Sequence, residues 1–176
     1  MSRPAIHIPA MTAEDYLEME RSSPTKHEFI DGEIFAMSGV SAVHNLVTGN
    51  LYLLLRSHLK GTPCRIFMAD VKLKVQAANA FYYPDLMVTC ESPADSHYRE
   101  QPKLIVEVLS ESTATFDAGN KRRDYQKLES LQEYMLVSQE CMDVRVYRCE
   151  DGEWQRSVYT DGAVIPLSSV GLEIPI

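Results

Sequence analysis

The chain has 176 residues, 45% of them hydrophobic and 24% charged, with a formal net charge of −8. The length suits one domain with a sizeable core, and the globular composition excludes extended disorder. The acidity excludes broad electrostatic coating of nucleic acid, which needs clustered Lys and Arg, so any DNA contact has to be local.

Residues 1–176 are accordingly read as one domain, with residues 1–10 the segment expected to be flexible. Those ten residues lack a basic start followed by an apolar stretch, and no run of about 18 apolar residues occurs to span a bilayer, so a cytoplasmic protein without a membrane partner is expected. Thr12 followed by Asp15 has the form of a capping box and opens a short helix ending near Ser22. In residues 27–35, Asp31-Gly32 between two apolar-containing runs predicts a β-hairpin.

From Ser41 to about Leu59, the residues Val43, Val47, Leu51, Leu54 and Leu55 recur at helical spacing, which predicts a long core-facing helix stopped by Gly61-Thr62-Pro63. Residues 64–68, 71–75, 82–89 and 103–109 are short and rich in β-branched or aromatic residues, and read as strands, the last two central. A helical pattern returns over 113–131, with Tyr125, Leu128 and Leu131 on one stripe. Strands at 133–137 and 143–148, with turns at 150–153 and 161–162, complete a C-terminal β meander. The fold class is α/β (α+β): a mixed central sheet flanked by helices. Cys64, Cys90, Cys141 and Cys149 form no CxxC pair, which predicts free thiols rather than a zinc or redox site.

Two carboxylates occupy positions where apolar residues belong. Asp85 opens the apolar strand Leu86-Met87-Val88, and Glu107 lies in the middle of Leu104-Ile105-Val106-Glu107-Val108-Leu109. Moving an ionised carboxylate into an apolar interior costs several kcal/mol, so a cation, donors or a raised pKa must offset it. Lys121 is the nearest cation, on a stripe with Asp117, Tyr125 and Leu128 that faces the sheet. Two acids on neighbouring strands suit the hard oxygen coordination of Mg2+ or Mn2+, and Lys121 then orients water or steadies transition-state charge. The bland alternatives are a turn-forming Asp85 and a structural Glu107–Lys121 ion pair.

Pro84-Asp85 followed by Glu107 inside an apolar strand resembles the PD-(D/E)xK nuclease superfamily, whose fold is restriction-endonuclease-like. Several segments extend the likeness: Tyr16-Leu17; residues 28–33; His44; residues 107–113; and Asp117, Lys121 and Tyr125. Through nearly the whole chain they are similar to the Uma family of restriction endonucleases, a bacterial family long described as a domain of unknown function. The resemblance implies Asp85 and Glu107 as metal ligands, the Val108 carbonyl as a further ligand, and Lys121 as the catalytic lysine displaced onto the following helix. The superfamily lysine position, two residues after the glutamate, is Leu109 here. Glu28 and His44 match family positions as further catalytic candidates, with a hairpin surface acid and a core histidine as the alternatives.

The resulting expectation is a Mg2+-dependent endonuclease acting on DNA, docked through the basic cluster Lys121, Arg122, Arg123 and Lys127 and working as a homodimer. A catalytically silent binding or regulatory module of the same fold is the competing class, and RNA or another phosphodiester is a competing substrate. Lacking a helix-turn-helix or zinc finger, the sequence reveals no base specificity.

Overall fold

A computed structural model describes residues 11–92, 97–111 and 113–176. The expectation for residues 1–10 lies outside the described residues. Helix α1 (Ala13–Ser22) starts at a reciprocal capping box, Thr12 accepting from the Asp15 amide while the Asp15 carboxylate accepts from Thr12. The hairpin of β1 (His27–Ile30) and β2 (Glu33–Ala36) turns through Asp31 and Gly32, whose φ angles of 47° and 92° are what a two-residue hairpin of this hand requires.

Helix α2 (Ala42–His58) is capped by Ser41, whose side chain accepts from the His44 amide. Its inner stripe carries His44, Thr48, Leu51 and Leu55. Val43 and Leu54, read as core positions, are 51% and 46% exposed. The apolar arc of α2 is wider than the surface it covers, so periodicity alone placed both inside.

Strands β3 (Arg65–Met68) and β4 (Lys72–Val75) form as expected. The strand read over 82–89 is two: β5 (Ala80–Tyr82) and β6 (Leu86–Thr89), belonging to different sheets. Pro84 lacks an amide donor and interrupts the ladder, so Asp85 stands at the joint between sheets. A two-residue β7 (Tyr98–Arg99), unanticipated, pairs parallel to β4 and precedes β8 (Leu104–Leu109).

The helix read over 113–131 is shorter and composite. It runs as α3 (Ala114–Phe116), a π turn (Asp117–Lys121) and α4 (Arg122–Tyr125). Beyond Tyr125, Leu128 donates to the Tyr125 carbonyl and Leu131 to the Leu128 carbonyl, at 3.0 and 3.1 Å. These successive turns keep a three-residue apolar period, which in sequence imitates a continuing helix.

The C-terminal third supplies β9 (Glu133–Ser138), β10 (Asp143–Glu150), β11 (Glu153–Thr160) and a separate hairpin of β12 (Val164–Leu167) and β13 (Leu172–Pro175). The larger sheet has the order β11-β10-β9-β8-β6-β3, mixed through the parallel β8–β9 pair. The smaller sheet is β2-β1-β5-β4-β7. On one face of the larger sheet, Leu51, Leu55 and Leu59 pack with Val88, Val106 and Ile165; on the other, Ile105 and Leu136 pack with Tyr125, Tyr82 and Leu73. Each such side chain contributes about 2 kcal/mol by burial, which fixes α2 and the α3–α4 segment on opposite faces.

Cys64 and Cys90 are joined in a disulfide, which corrects the expectation of free thiols for this pair; Cys141 and Cys149 are free. The two paired cysteines extend the β3–β6 register, in which Arg65 faces Thr89. Irregular spacing in sequence hides a direct cross-strand juxtaposition in space. Among the described residues, no helix is long and apolar enough to cross a membrane.

Candidate active site

Register brings the two acids together. Leu86 pairs with Val106 in the antiparallel β6–β8 ladder, so the next step places Asp85 opposite Glu107 with both side chains on one face. The Asp85 amide donates to Glu107 Oε2 at 3.2 Å, and the Val108 amide donates to Asp85 Oδ2 at 2.7 Å. The amide and carbonyl of one extended residue leave the strand on the same side, so the Val108 carbonyl also points toward Asp85.

Lys121 completes the cluster from the helical side. Its Nζ lies 2.8 Å from Glu107 Oε1, 3.1 Å from Glu28 Oε1 and 3.6 Å from Asp117 Oδ1. The π turn puts Asp117 and Lys121 on its buried side, and Tyr125 follows one turn later to donate from its hydroxyl to Glu107 Oε1 at 3.0 Å. Lys121 also sits 5.6 and 5.9 Å from the ring centres of Tyr82 and Tyr125, which favours its charged form further.

His44 Nε2 lies 3.0 Å from Asp85 Oδ1. Its Nδ1 is buried and has no hydrogen-bond partner among the described residues. The neutral tautomer that donates Nε2–H to Asp85 leaves only a lone pair unmet, which is the cheaper of the two assignments. Glu28, fully buried on β1, accepts from the Tyr83 amide at 3.4 Å as well as from Lys121.

These side chains line one cavity of about 220 Å3. Glu28, Asp85, Glu107 and Asp117 contribute four carboxyl groups to it, and among the described residues Lys121 is the one Lys or Arg in its lining. Burial holds the Glu107 carboxyl well above its ordinary pKa, with Lys121 opposing and Asp85 and Asp117 reinforcing. Asp117 is raised by burial in the same way, against Lys121 and Thr113. Burial alone would lower Lys121, but Glu107, Glu28 and Asp117 outweigh it and hold the ammonium well above its usual range.

The donor set bears on whether a divalent cation fits. Asp85, just before β6, and Glu107 and Val108 on β8 line the cavity and offer it hard oxygens, where acids outnumber cations four to one. Among the described residues, no three His, Cys, Asp or Glu side chains meet as a ligand set. Asp85, Glu107 and the Val108 carbonyl would amount to a partial oxygen shell, the arrangement Mg2+ accepts when water and phosphate oxygens complete it.

The sequence-read residues Asp85, Glu107, Val108, Lys121, Glu28 and His44 all line this cavity. Asp117 and Tyr125 stood out in sequence as stripe neighbours of Lys121 and as part of the family likeness, but were given no role at the site; their spacing of four on either side of Lys121 was the available signal. The basic cluster does not form one patch. Lys121 is buried, Arg122 lies over the Tyr147 ring at 4.9 Å, Arg123 pairs with Asn120, and Lys127 pairs with Asp124 at 2.8 Å.

Residues 13–176 match the family model Uma2, described as "Putative restriction endonuclease". The chain is 35% identical over 177 residues to the uncharacterized protein slr1290 of Synechocystis sp., covering 98% of this chain and 93% of that one. It is 38% identical over 149 residues to the uncharacterized protein sll1609 of the same organism, covering 82% and 84%. The crystal structure of a "putative nuclease belonging to DUF820" from Anabaena variabilis superposes with a TM-score of 0.77 at 18% identity, over 94% of each chain. That likeness concerns the fold.

Proposed function

The chain belongs to the Uma2 family, and from that membership and the acid-lined cavity we propose that it is a Mg2+- or Mn2+-dependent endonuclease hydrolysing phosphodiester bonds in DNA. One observation carries the reading: Asp85 and Glu107 face each other on one side of the sheet, with Lys121 2.8 Å from Glu107. Both acids and the lysine line one cavity, which supports this reading.

When bound, the metal polarises a phosphoryl oxygen and lowers the pKa of a coordinated water. Asp85 and Glu107 would hold it, with the Val108 carbonyl as a further ligand. Lys121 stays an ammonium at neutral pH, so it donates to the attacking water or to the pentacovalent phosphorus oxygens and does not act as the base. Glu28 and Asp117 keep Lys121 charged and aimed. His44 donates to Asp85 and fixes its carboxylate, as partners of ligating groups do. Plasmid nicking by the purified protein, with Mg2+ or Mn2+ against a chelator, tests the reading; no nicking with either ion removes it.

DNA as substrate places the work in the cytoplasm, with residues 1–176 acting as one domain. Cutting two strands favours a homodimer with two-fold-related sites. The outer face of α2 supports one: Val43, Leu46, Leu53 and Leu54 are 46–65% exposed, and no Lys, Arg, Asp or Glu occurs from residue 34 to residue 55. In a chain of net charge −8, this uncharged stripe is where two copies approach with least repulsion. The second reading, a silent binding module, is favoured by Leu109 in the superfamily lysine position. A titration calorimetry trace without heat for Mg2+ and Mn2+ selects it.

A further inference from the structure

Two cavities meet at Asp85. The catalytic one, about 220 Å3, falls below the roughly 300 Å3 at which pockets for whole small molecules begin. It accommodates a phosphate and its metal, not a nucleotide. The second, about 360 Å3, shares Met37, Ser38, Gly39, Val40, Tyr83 and Asp85 with the first. A strand whose phosphate sits at Asp85 therefore has a continuous exit into a nucleotide-sized space.

The far wall of that space is built with strain. Ala69 has a φ of 50°, a left-handed conformation that costs a non-glycine residue on the order of 1–2 kcal/mol. Its amide donates to the Asp85 carbonyl at 3.1 Å, so the turn is clamped to the backbone of a proposed metal ligand. The next residue, Asp70, pairs with Lys26 across the mouth, and the two side chains are 71% and 46% exposed. Such an exposed pair contributes under about 1 kcal/mol and opens readily. Tyr83, which lines both cavities, has the Lys72 ammonium 5.4 Å from its ring centre. Lys26 thus borders this cavity in an exposed pair, whereas Arg122 and Lys127 on and beside α4 are engaged with Tyr147 and Asp124 away from it.

We propose that the second cavity is a nucleotide subsite, which deepens the nuclease reading and rests on it. It takes the nucleoside adjoining the scissile phosphate, and Lys26 leaves Asp70 to contact the next phosphate along. Residues 37–40 on one side and 69–70 on the other enclose room for one strand. The preferred substrate is accordingly single-stranded or locally unpaired DNA, consistent with a surface too acidic for wide duplex contact.

Fluorescence anisotropy in Ca2+ tests this with a labelled single-stranded 12-mer and its duplex across a salt series. The single strand is expected to bind at least tenfold more tightly than the duplex. Lys26→Ala weakens single-strand binding three- to tenfold and reduces the log–log salt slope by about 0.7, the loss of one single-strand phosphate contact. Lys26→Arg retains both values, and the Arg123→Ala/Lys127→Ala double variant is unchanged. Equal affinity for the two substrates, no single-strand binding, or loss in the α4 variant instead of Lys26→Ala overturns the subsite. Nicking by the wild type is scored separately: cleavage with Lys26-independent binding removes only the subsite, and Lys26-dependent binding without cleavage removes only the nuclease reading.

Discussion

Asp85 and Glu107 stand opposite each other across the β6–β8 ladder, linked by a 3.2 Å hydrogen bond from the amide of one to the carboxylate of the other. Both side chains line one cavity, and the proposed ion would be held by both. Asp85→Ala and Glu107→Ala are each expected to lower metal-dependent nicking by roughly a thousandfold or more, several kcal/mol of lost transition-state stabilisation, with the circular dichroism spectrum unchanged. Residual cleavage within tenfold of wild type in both variants would refute the ligand assignment.

Lys121 is the sole ammonium among the cavity's described acids. Lys121→Met leaves Glu28, Glu107 and Asp117 uncompensated, a change of about 3–5 kcal/mol for a buried pair before the carboxyls take up protons. Melting of the variant in chelator should therefore fall well below wild type, and Mg2+ should raise its Tm by more than it raises the wild-type value. Nicking is expected to drop about a hundredfold or more. Equal Mg2+-induced shifts in the two proteins would show that metal and lysine do not share the same acids.

The raised Glu107 pKa sets a direction for pH dependence. A carboxyl held above its unfolded value of 4.5 contributes stability that is complete below that pH and is lost as pH rises toward the folded pKa. In chelator, the Tm of wild type minus that of Glu107→Gln should therefore decline as pH rises above 4.5. The proposed Mg2+ would bind the deprotonated form, so its stabilising shift should grow over the same interval. A difference that climbs with pH would mean that Lys121, not burial, governs Glu107.

Leu46 and Leu53 stand two turns apart on the exposed side of α2, and in the homodimer proposed above they would meet their copies across the two-fold axis. Sedimentation velocity should find a dimer for wild type and a monomer for Leu46→Glu/Leu53→Glu, with little change in monomer Tm because both side chains are 65% exposed. A wild type that sediments as a monomer at tens of micromolar removes this face from consideration.

The Cys64–Cys90 bond closes a loop with a sequence separation of 26, which restricts the unfolded chain by about 3 kcal/mol. Reductant should then lower Tm by roughly 6–12 °C. Thiol titration of unreduced, denatured protein should find two free groups, Cys141 and Cys149. Four reactive thiols would contradict the pairing.

Much of this was legible in sequence because the informative residues violate local patterning. Glu107 inside Leu104–Leu109 and the Asp31-Gly32 turn each announce themselves within a few positions, and the structure places both accordingly. What pattern could not convey was juxtaposition across distant segments. Nothing near Cys64 points to Cys90, and nothing near His44 points to Asp85. The false extension of the last helix to Leu131 came from turns whose three-residue period copies a helical one. The imagined basic patch failed for a related reason: neighbours along a helix diverge by about 100° per residue, so Lys121 and Arg122 serve different surroundings.

The π turn at Asp117–Lys121 holds one residue more than an α-helical turn would. Its five residues sweep nearly the angle of four in a regular α-helix, so the flanking turns stay in phase while Asp117 and Lys121 keep their buried side toward the cavity. Deleting one residue there, Gly119 for instance, would leave the two three apart on a regular helix, still on one face but with their side chains skewed against each other. The extra residue therefore sets a fine adjustment of aim between an acid and an ammonium, not a choice between two faces.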